Sequence, residues 1–236
     1  MSTVAMITAR GLFGRRRALL LLPLPLLLIG LAAICRAYGL DYSHWGKSVI
    51  EGLGFAVVLP VIALIVGTGV LGSEVDDGTL VHILTKPLPR REIILPKFAV
   101  AVTATAVTTA LPLYVVGLLA GSASLGAALA AAAVIGSFAY TALFLLLSLL
   151  SRRPVLLGLV YILIWEGLLG RWVSGTRVLS IEQYVITLAD KLEPTTILDA
   201  KLSVLTAAVM TAVFVVLSLV GAINRLGSFS LAGETS

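Results

Sequence analysis

The sequence predicts an all-α polytopic membrane protein with six transmembrane helices, built as one transmembrane domain over 1–236. Three observations carry that expectation. Apolar residues make up 59% of the chain and charged residues 12%, with a mean hydropathy of +1.08, which is membrane-class composition and leaves little room for a separate soluble domain. Six apolar stretches each approach the ~20 residues that a hydrocarbon core of about 30 Å requires at 1.5 Å per residue. Charge follows topology: segments expected on the cytoplasmic side carry eleven basic against five acidic residues, and external ones six against six. That distribution accounts for the net charge of +5 without a nucleic-acid partner.

Residues 1–17 mix Val4, Met6, Ile7, Leu12 and Phe13 with Arg10 and Arg15–Arg17, the pattern of an amphipathic interfacial helix on the cytoplasmic surface. The first span, 18–36, carries Pro23 and Pro25 in its cytoplasmic third, which predicts a kinked end. Arg15–Arg17 ahead of this apolar run imitate a secretory leader. The run is long enough to span, however, further spans follow, and Ile34 is too bulky for lipoprotein cleavage before Cys35, so a retained first helix is expected. With one cysteine, an internal disulfide and a cysteine-built metal site are excluded.

An external loop with Tyr38, Tyr42, His44 and Trp45 leads to the second span, 53–72, where Pro60 lies near the middle and Gly67, Gly69 and Gly72 near the exit. Residues 73–97 form a charged island holding Glu74, Asp76, Asp77, Lys86, Arg90, Arg91, Glu92 and Lys97, too polar for hydrocarbon and therefore a cytoplasmic loop. The third span, 98–121, has four threonines, for which back-bonding to their own helix is the expected use, and a kinking Pro112. A short uncharged turn returns the fourth span, 127–150, antiparallel beside it. Ala128, Ala132 and Gly136 place small residues on one face of that fourth helix, so it is expected deep in the protein.

Arg152 and Arg153 make a basic cytoplasmic hairpin before the fifth span, 155–170. Glu166 lies within this span toward its outer end. A carboxylate in lipid costs about 2.5–3.5 kcal/mol on insertion scales, so it requires protonation, a partner or water. Two readings stay open: an outer-gate or substrate-contacting residue, or a hydrogen-bonding group facing a neighbouring helix or the external segment. That segment, 173–202, shows Ile181, Tyr184, Val185, Leu188 and Leu192 at helical spacing behind a Ser180-x-x-Gln183 capping box, a helix at or dipping into the outer interface. The sixth span is 203–224, which leaves both termini cytoplasmic.

Some chemistries are excluded. No Gly-x-x-x-x-Gly-Lys-Ser/Thr loop is present, so the chain does not bind and split a nucleotide by that route. Neither His44 nor His82 is in an expected span, which removes intramembrane serine and zinc proteases. Within the island, Gly78–Leu84 can form two helical turns, started by Asp77 and stopped by Pro87. Leu80, Ile83 and Leu84 then share an apolar face with nothing in the chain to cover it. The acidic residues before it favour a protein groove over an anionic membrane surface.

Glu74-x-x-Asp77-Gly78-Thr79-Leu80, followed by Leu84-Thr85-Lys86-Pro87-Leu88-Pro89-Arg90 and then Lys97, resembles the first cytoplasmic loop of ABC transporter permeases of the type-2 exporter family. The amphipathic start, the six spans, Tyr161-x-x-x-Trp165-Glu166 and the external helical segment are similar to the same family. The resemblance implies a permease subunit of an ATP-driven exporter in a bacterial cytoplasmic membrane, working as a dimer with two separately encoded ABC ATPase subunits. It implies no cofactor on this chain, ATP and Mg being held by the ATPase. The 73–97 loop becomes a coupling helix between the second and third spans, with Glu74, Asp77, Gly78, Thr79, Leu80, Leu84, Arg90 and Arg91 as the docking set and Arg152 and Arg153 as a second contact. Two other classes remain: a non-transporting membrane anchor or assembly scaffold for a soluble partner, and a gradient-driven carrier, which the poverty of ionisable groups in the spans disfavours.

Overall fold

Lipid offers backbone amides no hydrogen-bond partner, so a chain this apolar satisfies them within helices. The computed structural model describes residues 21–76, 90–170 and 174–232, and among these there is no strand. The first helix, α1 (Pro23–Ala37), is followed by α2 (Tyr42–Gly46), which runs without a break through a π-helical stretch, π1 (Lys47–Val58), into α3 (Leu59–Asp76). After the segment 77–89 come α4 (Arg91–Leu119), α5 (Ala123–Leu150), α6 (Pro154–Val160) and a second π-helical stretch, π2 (Tyr161–Leu169). A 3₁₀ turn (Ser174–Leu179), α7 (Ile181–Leu192) and α8 (Val204–Ala232) complete the order.

Among the described residues, four helices are long and apolar enough to cross a membrane: Tyr42–Val70, Arg91–Leu119, Ala123–Leu150 and Val204–Leu226. Two shorter apolar helices, Pro23–Ala37 and Pro154–Leu169, occupy the expected positions of the first and fifth spans. The expected N-terminal interfacial helix, 1–17, lies outside the described residues.

Helix ends depart from the expected span boundaries, and for a common reason. Hydropathy marks where lipid lies, whereas a helix continues for as long as its amides gain partners. The second helix starts at Tyr42 rather than 53, leaving 38–41 as the turn and placing His44 on a helix. Tyr42 and Trp45 meet edge to face at 6.0 Å, and Trp45, Val49 and Ile50 are buried, so this extension has its own packed face. At the other end the helix reaches Asp76, and α4 starts at Arg91, so both described flanks of the charged island are helical.

Pro60 does not simply kink its helix. Its ring crowds the carbonyl four residues back, and the preceding backbone has widened into π1, with the Leu59 amide donating to the Gly54 carbonyl five residues earlier.

The central element is α5, against which α3, α4, α6, α7 and α8 all pack. Ala128 and Ala132 are buried on it, as expected from their spacing. Since lipid tails are as apolar as leucine, helix association rests on close packing. The closest backbone approach is at the α4–α5 hairpin, turned by Gly121 at φ +92°: a Cβ on Gly117 would lie 2.2 Å from Gly126 Cα. On α6, a Cβ at Gly158 would meet Leu64 Cδ1 of α3 at 2.2 Å. The span threonines largely bond their own helix, Thr103 to the Ala99 carbonyl at 2.8 Å and Thr108 to Ala104 at 2.7 Å. Between helices, the Thr141 hydroxyl of α5 reaches Thr105 Oγ1 of α4 at 3.4 Å. In contrast to α5, α8 turns Leu205, Val209, Val216 and Leu217 outward, a face suited to lipid.

Candidate functional site

Two places in the fold collect the polar groups singled out by sequence, one at each end of the bundle. At the end expected to be cytoplasmic, Glu74 falls within α3, Arg90 holds the N-cap position of α4 and is half-buried, and Arg91 is exposed. Asp77, Gly78, Thr79, Leu80 and Leu84 lie outside the described residues. Arg152 and Arg153 are exposed in the α5–α6 hairpin, where Ser151 Oγ accepts from the Arg153 amide at 3.1 Å. Because α4 and α5 are antiparallel, this hairpin is at the same end as Arg90 and Arg91. Ile93, Ile94 and Phe98 of α4, Leu145 and Leu149 of α5 and Leu226 of α8 form a small separate core beneath it.

A lysine in this end was legible only as one more charge of the island. Lys97 is buried, and its Nζ donates to the Val70 carbonyl of α3 at 3.2 Å. The sequence signal for it is that a lysine seven positions into a helix, amid Ile93, Ile94 and Phe98, sits on the apolar face.

At the other end is Glu166, on π2, 1% exposed. Its carboxylate accepts from three donors: the Tyr161 hydroxyl at 2.8 Å, the Ser180 hydroxyl at 2.5 Å and the Ile181 amide at 2.9 Å. Ser180 is the N-cap of α7, and its Oγ accepts from the Gln183 amide at 3.3 Å. The capping box is therefore half made. Gln183 does not reach back, its buried Oε1 having no hydrogen-bond partner, and the Ser180 amide donates to Arg177 instead. Glu166 takes part of that work from fourteen residues away, placing a negative charge on the amide end of α7, where the helix dipole favours it.

The magnitudes decide how such a group persists. Insertion of the carboxylate costs about 2.5–3.5 kcal/mol. Hydrogen bonds to a charged group contribute about 1.5–3 kcal/mol each, so three of them outweigh the cost even at the low end.

What Glu166 anchors is itself buried. Ile181 through Thr187 are all shielded on α7, and Val185 lies against Gly136, where a Cβ would approach its Cγ2 to 2.6 Å. Gly136 is in the middle of α5, so α7 does not rest on the rim but packs into the depth of the bundle. Further ties hold the same region. Trp165 Nε1 donates to the Leu179 carbonyl at 3.1 Å, and the Tyr184 hydroxyl donates to that of Val178. Burial, with the Glu166 charge adding to it, pushes the Tyr184 phenol well above its ordinary range. Ser124 Oγ bonds Glu193 Oε1 at 2.8 Å beyond the far end of α7.

Among the described residues no group of three or more His, Cys, Asp or Glu could hold a metal ion. The chemistry available is positional: a charged, exposed end and, at the opposite end, a buried helix start bonded to one carboxylate, joined by long helices. A family model described as ABC-2 family transporter protein matches residues 16–186, nearly three-quarters of the chain. A search of curated proteins finds no match. Long apolar helices around α5 and the family match over most of its length lead to one conclusion: the chain belongs to the ABC-2 transporter family and is a membrane-spanning permease component of an ABC transporter.

Proposed function

We propose that this permease belongs to an ATP-driven exporter, pairs with a second permease copy to form the translocation path, and takes its drive from two ABC ATPase subunits docked on the 73–97 loop. The observation that carries the reading is the pairing of two features in one chain. The chain has long apolar helices but no nucleotide-binding loop of its own. Between α3 and α4 it carries a segment with an acidic start, the apolar residues Leu80, Ile83 and Leu84, and a basic end, a sequence that suits a groove on another protein. Glu74, Asp77, Gly78, Thr79, Leu80, Leu84, Arg90 and Arg91 form the docking set, and the exposed Arg152 and Arg153 at the same end provide a second contact.

In this mechanism ATP closes the ATPase pair, the docked segment shifts with it, and α3 and α4 are displaced together against α5. At the outer face α7 is the element that moves. Glu166 holds it closed through Ser180 and Ile181, acting as an outer latch rather than as a substrate ligand. The location would be a bacterial cytoplasmic membrane with both termini inside, in line with the basic excess of the cytoplasmic segments.

The test is reconstitution. Permease co-expressed with its ATPase subunits in nanodiscs should stimulate ATP hydrolysis, and Leu80→Asp with Leu84→Asp should abolish the stimulation while membrane insertion persists. Undiminished stimulation in the double variant would sink the docking assignment.

A further inference from the structure

The junction of α3 and α4 contains a charged group turned the wrong way for solvation. Lys97 lies near the start of α4, a short distance from the exposed Arg91, so its four-carbon stem could carry the ammonium out to water, as lysines near helix ends do. Instead the side chain is 1% exposed and directs Nζ onto the Val70 carbonyl of α3. The residues around it on the same turns, Ile93, Ile94, Pro96 and Phe98, are all buried, and Val70 is 4% exposed. An ammonium held inside such an apolar junction persists only where its bonds offset lost hydration, which makes its geometry stiff. The two bonded residues are 27 positions apart, and the chain between them leaves α3 at Asp76 and returns at Arg90. The bond thus ties together the two helical stems from which 77–89 is suspended.

We propose that Lys97 is a positioning residue that locks the cytoplasmic ends of α3 and α4 into one unit, so that a displacement delivered to the segment between them moves both helices rather than prising them apart. The transmission half of this inference rests on the coupling reading above, whereas the lock itself does not. Pro96, immediately before Lys97, lacks the amide that would bond the Glu92 carbonyl, so the first turns of α4 are weakened as an independent helix and depend on a tie of this kind.

The test compares Lys97→Met, which keeps length and apolar stem but removes the charge and donors, with Lys97→Arg, which keeps both. In nanodiscs containing permease alone, Lys97→Met should raise amide exchange in 70–76 and 91–97 at least about tenfold, leave the α5 core protected, and leave the melting temperature near wild type. Lys97→Arg should stay close to wild type. In the assembled complex, Lys97→Met should retain the ATPase subunits yet lose most of the stimulation of hydrolysis, with Lys97→Arg restoring it. Unchanged exchange at both stems would overturn the lock, as would a uniform loss of protection along the chain, which would mark Lys97 as a general folding residue. Local loosening with full stimulation would overturn the transmission role. If wild-type permease stimulates no ATPase at all, it is the coupling reading that fails, and the exchange comparison still decides the lock.

Discussion

Replacing Glu166 by alanine is the sharpest perturbation the fold offers, because it strands three donors at once. The Tyr161 hydroxyl, the Ser180 hydroxyl and the Ile181 amide all lose their acceptor in a site from which water is excluded. A buried donor left unsatisfied costs about 1–3 kcal/mol, so the three together cost about 3–9 kcal/mol. Removing the carboxylate also relieves the ~2.5–3.5 kcal/mol of its insertion cost, and hydroxyls can rotate toward other acceptors, which leaves a net loss near 2–4 kcal/mol. For a chain of this length, each kcal/mol shifts the melting temperature by about 2–4 °C, which predicts a fall of roughly 5–15 °C. Glu166→Gln keeps an oxygen able to accept two of the three bonds and should lose less than half as much. Tryptophan fluorescence follows the melt, since Trp165 is bonded to Leu179 beside the site. Amide exchange at Ile181 to Gln183 should quicken in the alanine variant well before the bundle melts. If Glu166→Ala melts within about 2 °C of wild type and Ile181 keeps its protection, Glu166 does not hold the start of α7 and the latch has no basis.

Three further outcomes follow from the packing. Gly117→Val should fail to yield folded permease, because its Cβ would lie 2.2 Å from backbone at Gly126, which no rotamer relieves; size-exclusion behaviour after solubilisation checks it. Gly136→Leu meets the mobile ends of Val185 and Leu59 instead, so the bundle should survive at a cost of about 1–3 kcal/mol while α7 is displaced outward, detectable as external thiol labelling of a cysteine placed at Val185. Ser180→Ala removes both the α7 cap and one Glu166 donor and should cost about 1–2 kcal/mol, less than Glu166→Ala, as read from the same melting assay.

The parts of this molecule legible in its sequence are those governed by local sums. An apolar run long enough to span is recognisable without knowing its neighbours, and so are the basic Arg152–Arg153 turn and the small-residue face on α5, because each follows from composition at fixed spacing. Sequence also established that Glu166 requires a partner and that Ser180 starts a helix, since both statements are energetic demands of single residues. That these two demands satisfy each other, that Gly117 and Gly126 let α4 and α5 touch, and that Lys97 turns inward onto Val70 were decided by tertiary structure alone. The distances involved join residues many positions apart in sequence, and in lipid, where apolar burial does not discriminate one helix neighbour from another, the choice of neighbour falls to steric fit and to a few polar bonds that no linear pattern records.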